Sequence, residues 1–174
     1  MKSEGGVSDE ESEATNISSG LLTAHACRLR PGADIVLSIK SAAIAASQQT
    51  NACSAFVVLS CVGSVSSLTL RMANASVIIN DTTTSSPFRS WNEPLEIVSL
   101  VGTIAVATVD NSEQDVSFHL HMSVSDKNGN VYGGHFVKGI IHTTMELVLG
   151  SIANVKFSRT YDPNTGYREL EVTR

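Results

Sequence analysis

Phe118-His119-Leu120-His121-Met122-Ser123-Val124-Ser125, the turn Asp126-Lys127-Asn128-Gly129-Asn130, and then Val131-Tyr132-Gly133-Gly134-His135 form the stretch from which the rest of the chain can be read. Two runs of strand-forming residues on either side of an Asn-Gly pair predict a β-hairpin. The stretch also holds three of the five histidines in the chain. His-x-His on a strand puts both imidazoles on one face, because side chains alternate with period two. A third histidine returning on the next strand completes a metal-binding face of the kind zinc favours. Three neutral imidazoles with an open fourth position describe a ligand-accepting zinc rather than a closed structural one.

Whether His135 joins His119 and His121 depends on register. A two-residue Asn128-Gly129 loop pairs Met122 with His135 and turns His135 to the other face. A three-residue Asn128-Gly129-Asn130 loop pairs Ser123 with His135, and all three imidazoles then share a face. A bulge at Gly133-Gly134 has the same effect. The competing reading makes these histidines satisfied polar residues on a half-exposed sheet face or at a subunit interface.

Outward from the hairpin, composition sets the limits. The chain has 174 residues, 42% hydrophobic and 17% charged, which suits one folded domain with a sizeable core. Residues 1–20 hold one basic residue and five acidic ones, hence −4 of the net −5. The expected organisation is therefore a disordered acidic tail over residues 1–20 and a nearly neutral domain over residues 21–174. That domain lacks the clustered Lys and Arg of a nucleic-acid footprint, so direct DNA contact has weak support. No apolar run approaches the length of a bilayer span, and the first residues lack the basic start and apolar core of a secretory signal. The expectation is an intracellular protein, cytoplasmic or nuclear, neither secreted nor in a membrane.

Residues 22–29 read as a first strand, closed by Pro31-Gly32. Asp34 reads as a helix N-cap, followed by Ile35, Val36, Ile39, Ala42, Ala43 and Ala46 at helical spacing until Gln48-Gln49. From there the pattern is β. Residues 55–60 and 65–72 read as strands separated by a break at Gly63-Ser64, and residues 75–79 as another short strand. Residues 80–93 read as a polar loop ending in an exposed Trp91. Residues 96–109 form a long strand with Gly102 as a bulge or bend point. Residues 116–125, 131–137, 143–149, 155–161 and 167–172 complete the set. The expected fold class is α+β: one main helix and a mixed or mostly antiparallel sheet of eight or more short strands.

Other chemistry is sparse. Cys27, Cys53 and Cys61 form neither a CxxC pair nor a disulfide framework, and read as free thiols in apolar strands. No nucleophile elbow, P-loop or dinucleotide fingerprint occurs. Glu96 and Glu146 are strand-borne carboxylates that could serve as a fourth ligand or general base, with a surface ion pair as the plainer role of each. Arg71, at the end of an apolar strand, could meet an anion at a cleft, although such an arginine is more often simply paired. His25 and His142 stand outside any constellation and read as structural.

Four ordered blocks then carry a resemblance. His25-Ala26-Cys27-Arg28-Leu29-Arg30-Pro31-Gly32-Ala33-Asp34 is similar to the "RLxPGxD" opening of the PPC domain, the plant and prokaryote conserved domain. Gly63-Ser64-Val65-Ser66-Ser67-Leu68-Thr69-Leu70-Arg71 resembles its "GSVSxxTLR" signature, and Glu96-Ile97-Val98-Ser99-Leu100-Val101-Gly102 its "EIxSLxG" strand. His119-Leu120-His121 with Gly129-Asn130-Val131-Tyr132-Gly133-Gly134-His135 fits its "HLH…GxVxGGH" block. The resemblance covers about residues 24–172. It implies an α+β domain assembling as a homotrimer, within a superfamily that includes acetolactate decarboxylase, whose zinc is held by histidines. By that likeness His119, His121 and His135 are the ligands. In land plants such domains follow AT-hooks in nuclear proteins and mediate contacts with other transcription factors. This chain has no Arg-Gly-Arg-Pro hook. It also has Glu93-Pro94-Leu95 where the plant domain has Gly-Arg-Phe, and it keeps histidines that the plant domains tend to lose. It therefore resembles the prokaryotic, stand-alone type.

Two functions follow from this reading. One is a homotrimeric interaction module in a DNA-associated or transcription-regulatory assembly, with protein partners and no catalysis of its own. The other is a zinc-dependent enzyme or small-molecule-binding protein built on the three histidines.

Overall fold

The computed structural model describes residues 17–73, 87–108 and 114–174. Among them are eight strands and one helix: β1 (Leu22–Leu29), α1 (Ile35–Gln49), β2 (Ala55–Arg71), β3 (Phe88–Trp91), β4 (Leu95–Thr108), β5 (Gln114–Ser125), β6 (Val131–Ile152), β7 (Lys156–Asp162) and β8 (Tyr167–Thr173). Strand makes up 66% of the structure and helix 11%. The α+β expectation is thus overturned: this is a largely β fold carrying a single helix.

The expected break at Gly63-Ser64 is a bend inside one 17-residue strand, β2. Likewise, residues expected as two strands after the hairpin run together as the 22-residue β6. The long strands stay continuous because glycines carry the bends. Gly102 has φ +143°, a conformation closed to most L residues, and a Cβ there would collide with the His119 carbonyl oxygen of the neighbouring strand. Gly63 (φ +136°) does the same for β2 against Thr144 of β6.

All strand pairs are antiparallel. The order is β1-β6-β5-β4-β2-β3, and β6 also pairs with β2, so β2, β4, β5 and β6 form a closed ring of pairings. Closure removes most of the strand edge that an open sheet of this length would leave bare.

Helix α1 begins where expected: the Asp34 carboxylate accepts from the Leu37 N–H at 2.9 Å, satisfying one of the free donors of the first turn. Its stripe of Ile35, Ile39, Ala43 and Ala46 is buried. Those side chains join Phe56, Leu68, Leu70, Ile104, Leu120, Met122, Phe136 and Met145 in the main core. Each large core side chain contributes about 1.5–3 kcal/mol of burial free energy. A second cluster of Ala55, Ala105, Val155 and Phe157, with Leu170 and Val172 against it, seats the β7–β8 hairpin on the sheet.

Trp91, expected to be exposed in a loop, is buried in β3 and tilts against Tyr132 with ring centroids 5.2 Å apart. Arg89 lies over both rings at 5.1 Å, which accounts for an aromatic residue in so polar a stretch. The strand expected at residues 75–79 lies outside the described residues. No helix among the described residues is long and apolar enough to cross a membrane.

Candidate metal centre

Strand β5 alternates as its sequence requires. Leu120, Met122 and Val124 point into the core while His119 and His121 stand on the opposite face. Val101 and Thr103 of β4 are the cross-strand partners of His121 and His119. On the other side, His121 pairs directly with His135 of β6. Neither expected register device produces this pairing. The connection is a five-residue loop, residues 126–130, with Ser125 paired to Val131. It keeps the parity of a three-residue loop, so the three imidazoles share a face.

Asp126 builds that loop. One of its carboxylate oxygens accepts from the Asn128 and Asn130 backbone N–H groups at 2.8 and 2.9 Å. The other accepts from the Asn130 side-chain amide at 2.9 Å and the Tyr132 hydroxyl at 3.2 Å. These donors, the Asn130 side chain foremost, hold the Asp126 carboxyl below its usual range. Gly129 (φ +82°) supplies the left-handed residue that closes the turn.

The resulting geometry is tight. His119 Nε2 and His121 Nε2 are 3.1 Å apart, and one nitrogen from each of the three histidines lies within 4.8 Å of the others. Ring centroids are 5.0–5.4 Å apart. Two nitrogens bound tetrahedrally to zinc at its usual bond length stand about 3.3 Å apart. The His119–His121 spacing is therefore close to that of a shared metal.

Two of the three imidazoles, those of His119 and His135, are also held toward the neutral form. Burial is the first cause lowering His119, followed by His121 and Arg159, with Glu169 opposing. His135 is pushed down to about 4 by burial, then by Arg71 and the two other histidines. Its Nδ1 is buried without a hydrogen-bond partner, a cost that a bound partner would relieve. Neutral imidazole is the form that ligates a metal.

The histidines open onto a cleft of about 650 Å³. Arg71 of β2, the cross-strand partner of His135, forms one side and donates to the Tyr167 hydroxyl at 2.8 Å. Arg159 of β7 forms another and is tied to Thr103 Oγ1 at 2.6 Å. Phe118, Arg168 and Glu169 also line the cleft, whereas Glu96 and Glu146, the carboxylates that sequence suggested, do not. Glu169 is the carboxylate present instead. Arg159, Tyr167 and Glu169 escaped the sequence reading because the hairpin that carries them is remote in the chain. The available signal was parity: Arg159 shares the buried side of β7 with Phe157. His25, as expected, has a structural partner, Ser151 Oγ at 2.9 Å. The thiols of Cys27 and Cys61 are raised by burial, Cys61 to about 12 with Cys27 adding to the effect.

The model of the Plants and Prokaryotes Conserved (PCC) domain matches residues 17–153. The chain belongs to this family. Bifunctional protein GlmU of a Synechococcus strain is 35% identical to it over 156 residues, covering 89% of this chain. The chain spans about a fifth (21%) of the length of that relative. Among solved structures, a hypothetical protein from Salmonella is 29% identical with TM-score 0.67, over 90% of this chain and 96% of its own. A metal-containing protein from Archaeoglobus fulgidus shares the fold at 21% identity and TM-score 0.64, over 91% and 99% of the two chains. A candidate DNA-binding protein from Bacteroides thetaiotaomicron shares it at 21% and 0.62, over 85% and 91%.

Proposed function

We propose that this PCC-domain chain is a metal-dependent small-molecule-binding protein, with His119, His121 and His135 as ligands and zinc as the metal. The observation that carries the reading is the 3.1 Å approach of two Nε2 atoms beside a third imidazole paired across the hairpin. The metal-containing Archaeoglobus neighbour, which shares the fold, supports it. A divalent ion on three neutral imidazoles supplies a Lewis acid with an open coordination position. The chain's own groups do the rest. His119 and His121 hold one edge of the site from β5, His135 closes it from β6, and Arg71 and Arg159 bound the space a ligand would enter. Titrating chelator-treated protein with zinc should show about one ion bound per chain. Absence of binding to correctly folded protein would remove the reading.

A second reading, a homotrimeric interaction module in a DNA-associated or regulatory assembly, draws on exposed apolar side chains. Leu22 and Leu59, 56% and 45% exposed, converge above Gly150, and Val62, Val98 and Val101 are also exposed on β2 and β4. Covering them with further copies of the chain would remove apolar surface from water. The likeness to a fifth of a larger relative and the candidate DNA-binding neighbour agree with a module that works within an assembly. The near-neutral domain favours protein partners over direct phosphate contacts. Sedimentation should give a trimer, and a stable monomer at micromolar concentration would exclude this arrangement. The two readings are compatible.

A further inference from the structure

The three histidines are bracketed by arginines from two other strands. Arg71 of β2 is paired with His135 of β6, and Arg159 reaches Thr103, which is the strand neighbour of His119. Among the described residues, three arginines line the cleft against a single carboxylate, Glu169. Arg168 is committed to its own hairpin, donating to the Arg159 carbonyl at 2.9 Å. Arg71 and Arg159 remain as the cleft's cationic walls. Among the described residues, each is anchored by a neutral group, the Tyr167 hydroxyl and Thr103, rather than by a carboxylate in hydrogen-bond contact. Among the described residues, Arg159 Nε is buried with no hydrogen-bond partner.

A guanidinium that is held in place but not neutralised is poised for an incoming anion. A divalent ion on three uncharged imidazoles would add two further positive charges. With one carboxylate facing the whole group, the cleft lacks the negative charge that its cationic walls call for.

We infer that the cleft is an oxyanion site. A small carboxylate or phosphate would place one oxygen toward the three histidines and another on Arg71 and Arg159. The inference rests on the metal reading above and specifies the ligand class for the same site. The β7–β8 hairpin, which lies beyond the residues matched by the family model, supplies Arg159 and the Tyr167 anchor. The C-terminal hairpin thereby selects the ligand, while the β5–β6 hairpin holds the metal.

The test uses the full chain loaded with zinc, its metal content measured first, and calorimetric titration with oxalate, inorganic phosphate and imidazole. Oxalate or phosphate should bind the wild-type zinc form. Arg71→Met and Arg159→Met should each weaken that binding by about tenfold or more, the loss of one charge-assisted hydrogen bond. Zinc content and the affinity for imidazole, a neutral ligand of the metal, should stay within about threefold, the spread expected when no direct contact is lost. Whichever of oxalate and phosphate shows the larger loss identifies the anion class. Because Arg159 also ties the hairpin to Thr103, Arg159→Lys tests the site with charge retained and fork geometry lost. Weakened oxyanion binding in Arg159→Lys and Arg71→Met supports the site even if Arg159→Met misfolds. Zinc-loaded protein that binds neither oxyanion, or binds them equally well in the arginine variants, overturns the oxyanion site alone. Failure to take up zinc overturns both this inference and the metal reading.

Discussion

The two faces of β5 divide the labour of this protein. On one face Val116, Leu120, Met122 and Val124 are 0–3% exposed and fill the core. On the other, His119 and His121 reach the surface, with His119 partly shielded where the three rings meet. On the proposed reading, residues one position apart serve stability and metal binding separately. A strand can carry a reactive face without loss of stability only if its register is fixed, because a one-residue slip exchanges the faces. Here the Asp126 loop fixes it on one side and the Gly102 bend on the other.

The contrast can be broken most strongly from inside. Leu120→Ala should destabilise the protein by about 2–5 kcal/mol, measured by urea unfolding, through the cavity it leaves. A loss below about 1 kcal/mol would mean that the inner face is not the core. Gly102→Ala comes next. It forces a Cβ against the His119 carbonyl at a positive φ, so a loss of about 1–3 kcal/mol is expected. Its effect should reach the outer face too, weakening zinc binding by displacing His119. Unchanged zinc affinity in a destabilised Gly102→Ala would separate the bend from the site.

Acid sharpens the comparison on the outer face. His135 resists protonation until about pH 4, while in the unfolded chain its value is near 6.5. Between those values the unfolded state binds more protons, so metal-free protein loses stability as pH falls from about 6.5 toward 4. His135→Gln should flatten that part of the melting-temperature profile, and an identical profile in the variant would show that His135 is not the group responsible. The smallest stability change belongs to His121→Ala, within about 0.5 kcal/mol at pH 7 in the absence of metal, because its side chain is exposed. The same variant should nevertheless lose zinc binding by at least about a hundredfold, since one of three ligands is gone.

Much of this was legible in the sequence where a local rule governs. The Asp34 cap and the Ile35–Ile39–Ala43 stripe place α1 correctly, and His-x-His with a returning Gly-Gly-His places the imidazoles together. The loop length differs from both expected registers. Asn128-Gly129 suits a two-residue turn and Asn128-Gly129-Asn130 a three-residue one, yet the Asp126 carboxylate, by bonding two residues and four residues ahead, opens it to five. Gly63 and the segment after the hairpin look like breaks in the sequence because glycine interrupts the hydrophobic pattern. In a closed ring of strands the same glycine is what lets one strand turn a corner. Trp91 lies in a polar run, and its partners, Arg89 and Tyr132, include one on a strand remote in the chain. Arg159 and Tyr167 reach the site only through tertiary seating of the β7–β8 hairpin, which local pattern does not encode.

The central claim is that His119, His121 and His135 together hold a divalent ion. Anomalous scattering at the zinc edge, from crystals grown with stoichiometric zinc, tests it atom by atom. The account predicts one peak bonded at about 2.0–2.1 Å to a nitrogen of each of the three histidines. Zinc bound elsewhere, or three histidines linked only through water, would contradict it.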